Sequence, residues 1–476
     1  MNLSDLSLMP ILPELALVAT AMLIMLVDVF VGDKRWLTWV GLAGVILAGL
    51  ATYWTAQLPA QPFQGMIVSD GYTAFFRLII LTATALGLLV ALNWLDAHGT
   101  QQGEYNGLLI LSAVGMTLMA ASTHLVLTFV ALEVLSLSLY ILAGFERERA
   151  TSSEAALKYL LLGAFSSAFF LYGIALLYAA TGALDYAGIA QAGLDGWLPL
   201  VAIGLLIVGF GFKVAVVPFH MWTPDVYQGA PTPVTAFMSV GAKAAGFAAF
   251  LRLFAGSLKM EYQAWGLALA VLAVLTMTLG NLAALRQQSL KRMLAYSSIA
   301  HAGYILVGLA SGNGAGVAAV LFYLLVYAFM NIGAFAVLIG MERQGSGDIV
   351  ADQARGLARR HPWLGAAMAV FMFGLTGVPP LAGFFGKLYL FQAAVQADLT
   401  WLAVVGVINS AISAYYYLRV VVAMYMSEPA GEERLAWRPA LALATAVAAL
   451  FVIGIGISPG FWISLAQKGI QAVVGV

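Results

Sequence analysis

The chain contains no cysteine among its 476 residues and has very little charge. Without cysteine it cannot form disulfides, cysteine-ligated iron–sulfur clusters or thiolate zinc sites of its own. The formal net charge is +0, so the sequence offers neither a basic face for nucleic acid nor an acidic tail. No G-x-G-x-x-G motif follows a strand-like run, and we therefore expect no dinucleotide site and no bound cofactor in this chain.

Apolar residues dominate what is present. Hydrophobic residues make up 62% of the chain, charged residues 9%, and the mean hydropathy is +0.94. A membrane-spanning helix needs about 20 mostly apolar residues. We predict an all-α polytopic membrane protein with about fourteen transmembrane helices, near residues 11–31, 36–56, 72–95, 106–122, 124–145, 155–180, 198–218, 231–256, 264–285, 293–311, 315–341, 362–395, 400–426 and 437–460.

The loops between these spans differ in their cations. One set of loops carries Lys34, Arg35, Arg147, Arg149, Arg286, Lys291, Arg292, Arg343, Arg355, Arg359, Arg360, Arg434 and Arg438. The opposite set carries only Lys259, Lys468 and Arg252. Cytoplasmic loops are the ones enriched in Lys and Arg, so an even number of spans predicts both termini on the outer, periplasmic face. The N-terminus lacks a positive region, which favours a retained first span and a bacterial inner membrane.

Several ionisable residues lie inside the apolar runs, namely Glu133, Lys158, Lys213, Lys243 and Lys387. A charged side chain at the centre of a bilayer costs about 3 kcal/mol on insertion scales. Such residues therefore usually face a protein interior or a wet cavity, and several in one chain suggest a path for charge. The surrounding membrane lipid contacts the remaining apolar surface.

The charged positions recur along the chain. Lys213 and Lys387 lie 174 residues apart, and both are flanked by glycine and proline helix breakers; Glu133 and His301 lie 168 residues apart. This offset equals five spans, an odd number, so the second copy is expected to be inverted. We predict a three-helix segment (1–105), a first five-helix repeat (106–260, spans four to eight), a second inverted repeat (261–426, spans nine to thirteen) and a C-terminal helix (427–476). Broken helices at matching positions point to an ion site near the membrane midplane.

These residues suggest a proton relay. A lysine in a low dielectric releases its proton more readily, whereas a nearby carboxylate opposes that release. Glu133 and Lys213 could form such a pair, which Lys158 shares or modulates. Lys243 would then carry the proton toward the second repeat.

Two histidines extend this hypothesis, because an unperturbed histidine titrates near neutral pH. His301 would connect Lys243 to Lys387, and His220, at the cytoplasmic end of the broken helix, would serve proton uptake or gating.

Structural alternatives stand beside these roles. For Lys158, a snorkelling side chain or a structural ion pair is as good an interpretation as a relay role, and His301 could equally be a satisfied core residue. We interpret Arg77 and Arg419 as interfacial anchors and the tyrosines at 415–417 as helix packing.

Residues 213–247, KVAVVPFHMWTPDVYQGAPTPVTAFMSVGAKAAGF, closely resemble the signature segment of the antiporter-like membrane subunits of respiratory complex I. The resemblance extends over nearly the whole chain and is strongest to the N-type members. Lys387 stands where the M type has a glutamate, and the chain ends without the long lateral helix of the L type.

The resemblance implies that this chain carries proton-relay residues and that other subunits carry the redox groups. The family's proton-relay residues fall on Glu133, Lys213, Lys243 and Lys387. NADH, FMN, iron–sulfur clusters and quinone are then expected in partner subunits, and the neighbours would resemble subunits M and K.

Three functions follow in order of preference. The first is a proton-translocating subunit of NADH:quinone oxidoreductase, which couples electron transfer to pumping. The second is a subunit of a multisubunit cation/proton antiporter without redox activity. The third is a structural spacer that transmits movement without conducting protons.

Overall fold

The computed structural model describes residues 8–58, 61–99, 103–342, 348–428 and 439–474. Arg343, Arg434 and Arg438, which contributed to the predicted orientation, lie outside these residues. Three helices and one small hairpin form the N-terminal segment: α1 (Leu12–Asp28), α2 (Arg35–Thr55), β1 (Gln61–Phe63), β2 (Ile67–Ser69) and α3 (Gly71–His98). The two strands are antiparallel, with Pro62 opposite Val68.

The predicted first repeat contains α4 (Gly103–Ala121), α5 (Leu125–Ala143), α6 (Ala150–Thr181), α7 (Tyr186–Ala192), α8 (Trp197–Val214), α9 (Trp222–Gly229), α10 (Thr232–Met238) and α11 (Gly241–Leu251). The predicted second repeat contains α12 (Tyr262–Leu285), α13 (Leu290–Ala310), α14 (Gly314–Met341), α15 (Leu357–Arg360), α16 (Pro362–Thr376), α17 (Ala382–Gln396) and α18 (Thr400–Met426). Two further helices end the described chain, α19 (Pro439–Ile457) and α20 (Pro459–Val474).

The all-α polytopic class is confirmed. Within the described residues, 13 helical stretches are long and apolar enough to cross a membrane. The remaining predicted span, 362–395, consists of the two shorter helices α16 and α17. The C-terminal segment was expected to hold one helix, and its described residues hold two, because Pro459 starts a new helix at a position where its missing N–H costs nothing.

Two of the spans are broken next to a lysine, as predicted. Helix α8 ends one residue after Lys213, where Ala215 has a φ of 64° in the left-handed region that non-glycine residues rarely occupy. Helix α16 ends at Thr376, and the next residue, Gly377, has a φ of 90°, which suits a residue without a side chain. Each break is followed by a proline segment before the next helix begins. Whether the two five-helix units form an inverted pair stays a prediction.

The centre of the molecule is built from α10, α11, α13 and α14. The apolar stretches of α14 and of the span 232–257 are buried along their whole length. Glycines allow the neighbouring helices to approach closely: a Cβ on Gly280 of α12 would lie 2.7 Å from the backbone nitrogen of Ala300 on α13. Such small-residue contacts drive helix association in lipid. They hold α13, which carries His301, at the middle of the bundle.

Candidate functional site

Lys213 and Glu133 each contact a serine and do not contact each other directly. Lys213, which is 5% exposed, donates from Nζ to the hydroxyl of Ser136 on α5, 2.9 Å away. Glu133, nearly one turn earlier on α5, accepts a hydrogen bond of 2.5 Å from Ser167 on α6. Among the described residues, no ion pair within 4.0 Å joins the two charges. The expected pair is therefore an indirect one.

A small cavity lies between these two contacts. Its lining includes Ser136, Ser167 and Lys213, and its volume is about 10 Å³. That is roughly the space that one water molecule needs, about 10–15 Å³. One water at this position would link the Lys213 side to the Glu133 side.

Lys243 lies at the centre of the bundle on α11 and is 2% exposed. Its Nζ donates to the hydroxyl of Ser298 on α13, 2.6 Å away, and to the carbonyl oxygen of the same residue. The ring of Tyr327 on α14 lies 5.5 Å from Nζ, within the range of a cation–π contact. All of its polar partners within the described chain are thus neutral.

His301 is fully enclosed and hydrogen bonded at both ring nitrogens. Nδ1 lies 2.6 Å from the hydroxyl of Tyr323, and Nε2 lies 2.9 Å from the hydroxyl of Tyr417. The Tyr417 hydroxyl also contacts Ser297, the neighbour of the serine that holds Lys243. Because either ring nitrogen can carry the proton, this arrangement suits a satisfied core histidine and a relay equally well.

Lys387 lies on α17, after the second helix break, and its side chain reaches back to the end of α16. Its Nζ donates to the carbonyl oxygen of Thr376, at the end of α16, and to the hydroxyl of Ser410, both at 2.8 Å. The Tyr304 ring lies 4.7 Å from Nζ, and its centroid lies 5.7 Å from that of His301. The break frees a carbonyl that a continuous helix would use, and the lysine takes it as an acceptor.

Lys158 lies apart from these groups. Its Nζ forms ion pairs of 2.7 Å with Glu154 and with Asp225, and its side chain is 41% exposed. The geometry matches the structural ion pair that the sequence left open as an alternative. Burial raises the pKa of Asp225, but hydrogen bonds from Lys158 and Arg292 outweigh it and lower that pKa below its usual range.

His220 lies in the turn between α8 and α9, half-buried. Its Nδ1 has no hydrogen-bond partner among the described residues. Burial lowers the pKa of His220, while a hydrogen bond with the backbone at Pro218 opposes that change. A neutral imidazole near neutral pH follows.

A second class of buried charge is fully ion-paired. Arg77, fully buried, donates to both carboxylate oxygens of Glu14 at 2.9 and 2.8 Å. Arg252 makes an equivalent two-point contact with Asp70 at 2.9 and 3.0 Å. Burial raises the pKa of Asp70, but the Arg252 charge outweighs it and lowers the pKa overall. The first pair joins α1 to α3 within the N-terminal segment, and the second joins that segment to the end of α11.

The interpretation of Arg77 as an interfacial anchor is therefore wrong, whereas that of Arg419 stays a prediction. Arg77 is an interior ion-pair residue. Arg419 is half-buried and donates to the carbonyl of Leu285, the last residue of α12, and to that of Gln287 in the following loop. Lys291 was counted as a loop cation, yet it is fully buried in α13. Sequence patterns place a residue in the membrane but do not say which helix it faces.

The sequence analysis missed the groups around the lysines and the histidine. The hydroxyls of Ser136, Ser298 and Ser410 accept from lysines, and those of Tyr323 and Tyr417 contact His301. Ser297 contacts Tyr417, and the ring of Tyr304 faces Lys387. One signal existed. Ser136 lies three residues after Glu133, so both occupy the same side of α5. Tyr417 was assigned to packing because no sequence pattern connects it to a helix 116 residues away.

No group of three or more His, Cys, Asp or Glu side chains that could hold a metal ion occurs in the described parts of the chain. The arrangement is thus one of lysines, a histidine and hydroxyls along the interior of a membrane bundle. Such an arrangement can hold and exchange protons.

Comparison with known proteins assigns the family. Residues 122–413 match the family model described as "NADH:quinone oxidoreductase/Mrp antiporter, TM". A protein of Trichlorobacter lovleyi named NADH-quinone oxidoreductase subunit N is 47% identical over 473 residues, 97% of each chain.

Solved structures agree with this family. A chain of respiratory complex I from Thermus thermophilus with bound aureothin is 41% identical, with a TM-score of 0.81 over 96% of this chain and 99% of that one. A chain of the Mrp complex from a Dietzia species has a TM-score of 0.84 over 100% of this chain and 98% of that one at 22% identity, which shows a shared fold.

The fold and the buried charges define an antiporter-like membrane subunit. More narrowly, the chain belongs to the NADH-quinone oxidoreductase subunit N family. It acts as a subunit of a multisubunit translocase, as its family resemblance implied.

Proposed function

We propose that this chain translocates protons across the membrane through Lys213, Lys243, His301 and Lys387, driven by the transfer of electrons from NADH to quinone. One observation carries the proposal: three enclosed lysines have only neutral partners among the described residues, whereas the enclosed arginines are paired with carboxylates. The relay is a line of groups that can change protonation.

Neutral partners lower the free-energy cost of releasing a proton from a buried lysine. If a lysine in a direct buried ion pair lost its proton, it would leave an unpaired carboxylate, which costs several kcal/mol. A lysine held by a serine hydroxyl or a carbonyl leaves no such charge behind. The neutral amine can still donate to the same acceptor, so the local structure survives the change.

Hydroxyl groups connect much of the line. Ser298 holds Lys243, and its neighbour Ser297 contacts Tyr417, which reaches His301. The Tyr304 ring lies against both His301 and Lys387, whereas its hydroxyl accepts a hydrogen bond from Asn281. Each hydroxyl can accept one proton while it donates another. Water would complete the remaining steps.

Glu133 supports a coupling role at a subunit contact. It is half-buried, on a side of α5 whose exposed apolar residues are Val126, Val130, Leu137 and Ile141. A carboxylate on such a stripe would be costly against lipid, so a neighbouring membrane subunit covers it. Subunits resembling M and K are the expected neighbours, and NADH, FMN, iron–sulfur clusters and quinone belong to partner subunits. A change at this contact would alter the field at Lys213.

The proposed location is a bacterial inner membrane with both termini on the periplasmic face. Lys158 and Asp225 then lie at the cytoplasmic end of the bundle, and Asp70 and Arg252 at the periplasmic end. Labelling of introduced cysteines with a membrane-impermeant reagent, in intact spheroplasts and in inverted membrane vesicles, would test this orientation.

Gentle purification of the tagged chain, with mass spectrometry and an NADH:quinone reductase assay on the same sample, tests the assignment. Flavin and iron–sulfur subunits together with activity support it. Co-purification with small membrane subunits alone, and cation/proton exchange in vesicles without NADH, would favour the antiporter, which shares the fold.

The relay itself is tested in proteoliposomes. Lys213→Met in fully assembled complex should lower the protons pumped per NADH oxidised. Pumping at the wild-type ratio would remove Lys213 from the relay. Variants that fail only in assembly, and never uncouple pumping from electron transfer, would favour the structural spacer.

A further inference from the structure

A polar cavity opens at the end of the bundle that we place in the cytoplasm. Its volume is about 450 Å³, and the lining includes Glu154, Lys158, Asp225, Gln228 and Asp348. These residues belong to both predicted repeats, because Asp225 lies on α9 and Asp348 precedes α15. Carboxylates in a wet cavity attract and exchange protons.

Lys291 lies directly behind the wall of this cavity. It is fully buried, and its Nζ donates to the carbonyl oxygen of Ala230, 2.8 Å away. Ala230 follows Gly229, which lines the cavity. The charged side chains that act on Lys291 from the surrounding elements are Glu342, Arg149, Asp348 and Glu146. No direct ion pair within the described residues neutralises it.

The next residue on α13, Arg292, makes the direct contacts with the cavity side chains that Lys291 does not make. Arg292 donates to Asp225 at 2.7 Å and to Gln228 at 3.0 Å, and Gln228 in turn donates to Asp348 at 2.8 Å. Asp225 is thereby held by Arg292 and Lys158, Glu154 by Lys158, and Asp348 by Gln228 and Ser289. Lys291 keeps a neutral acceptor. Like Lys213, Lys243 and Lys387, it is buried and donates to a neutral acceptor.

Polar groups continue from Lys291 toward Lys243. Ser298, which holds Lys243, lies seven residues further along α13, about 10 Å away at the rise of an α-helix. Tyr227, two residues before the cavity-lining Gly229, places its hydroxyl against the side chain of Ser298. The hydroxyl of Thr232 is buried close in sequence to Ala230 and has no hydrogen-bond partner among the described residues. Buried hydroxyls of this kind are contacts for a file of water.

We propose that this cavity is a proton-uptake vestibule and that Lys291 transfers protons from it, past Tyr227 and Ser298, to Lys243. The inference rests on the proposed function. It adds a route by which protons from the cytoplasm reach Lys243 without passing the Glu133–Lys213 end of the relay. In each transfer, the amine of Lys291 takes a proton from water in the vestibule and releases one toward Ser298.

The test uses the whole purified complex in proteoliposomes, with protons pumped per NADH as the readout. Lys291→Met should lower this ratio as much as Lys243→Met does, with the assembled complex intact. Lys291→Arg should show the same loss, because a guanidinium can donate to the Ala230 carbonyl but does not release its proton. Lys34→Met is the matched control, since Lys34 pairs with Asp28 at a helix end and should leave the ratio unchanged.

Wild-type pumping in Lys291→Arg would overturn the proposal and leave Lys291 as a structural contact. Loss in Lys243→Met with wild-type pumping in Lys291→Met would also overturn it, while the proposed function stands. A wild-type ratio of protons pumped per NADH in Lys243→Met would contradict both the vestibule and the proposed relay function.

A labelling experiment decides the question if Lys291 variants fail to assemble. The chain has no cysteine, so Thr151→Cys places a single thiol of this chain on the vestibule wall. A bulky membrane-impermeant thiol reagent should lower the pumping ratio relative to the unlabelled form. Ser153→Cys, on the same helix outside the lining, should respond little. An equal response at the two positions, or none at Thr151→Cys, would overturn the vestibule.

Discussion

Removal of one partner from the Arg77–Glu14 pair should destabilise the chain without changing its proton pumping. Arg77 is 0% exposed and Glu14 is 3% exposed, and the two are joined by hydrogen bonds of 2.9 and 2.8 Å. Arg77→Met would leave the Glu14 carboxylate enclosed and unpaired. The loss of one member of a buried pair costs about 3–5 kcal/mol, which corresponds to about two to four orders of magnitude in a folding equilibrium.

The double variant Arg77→Met with Glu14→Leu provides the critical comparison. An apolar replacement of both partners is often close to neutral, so the double variant should recover most of the loss. The assay is the fraction of chain that remains monodisperse and complex-bound after heating in detergent. Arg35→Met is a suitable control, because the Arg35 side chain is 61% exposed in its pair with Asp96 and such pairs contribute about 1 kcal/mol or less.

Two results would refute this reasoning. A double variant less stable than Arg77→Met would show that the pair does not account for the loss. A normally stable Arg77→Met complex with fewer protons pumped per NADH would place Arg77 in the proton path and break the distinction between paired and unpaired buried charges.

Three further predictions concern the relay and the fold. Tyr417→Phe should lower protons pumped per NADH in assembled complex because it removes the hydroxyl between two relay groups, whereas Tyr415→Phe, at an exposed position, should not. Gly383→Ala should sharply reduce assembled complex on native gels, because its Cβ would lie 1.9 Å from a backbone carbonyl across the second break; Gly204→Ala, with open space, should assemble normally. Asp70→Asn should lower thermal stability at neutral pH, and the difference from wild type should shrink as pH falls through the depressed pKa of Asp70, since that carboxylate stabilises the fold only while ionised.

The sequence was sufficient to predict the spans and the two breaks. Apolar runs of the required length and the glycine–proline segments after Lys213 and Lys387 carry that information directly. The predicted boundaries differ from the helix ends by a few residues in most spans, because apolar helices continue past the hydrocarbon region.

The contacts of the site could not be predicted in the same way. Helix α14 is mostly apolar on all sides, and α13 mixes polar and apolar residues without a distinct polar face, so neither carries an amphipathic signal that would orient it. The link between His301 and Tyr417 and the burial of Lys291 depend on which faces meet, and no local pattern records this. Lys158 was placed in the relay on residue type alone, whereas its neighbours on α6 and α9 are carboxylates.

The most direct test of the central claim is the number of protons pumped per NADH oxidised in proteoliposomes that contain the assembled complex with Lys243→Met. Lys243 is the most central of the three lysines, and only neutral groups of the described chain hold it. The account predicts a clear loss of pumped protons per NADH while the complex still assembles and oxidises NADH. A wild-type ratio in that complex would contradict proton transfer through this chain.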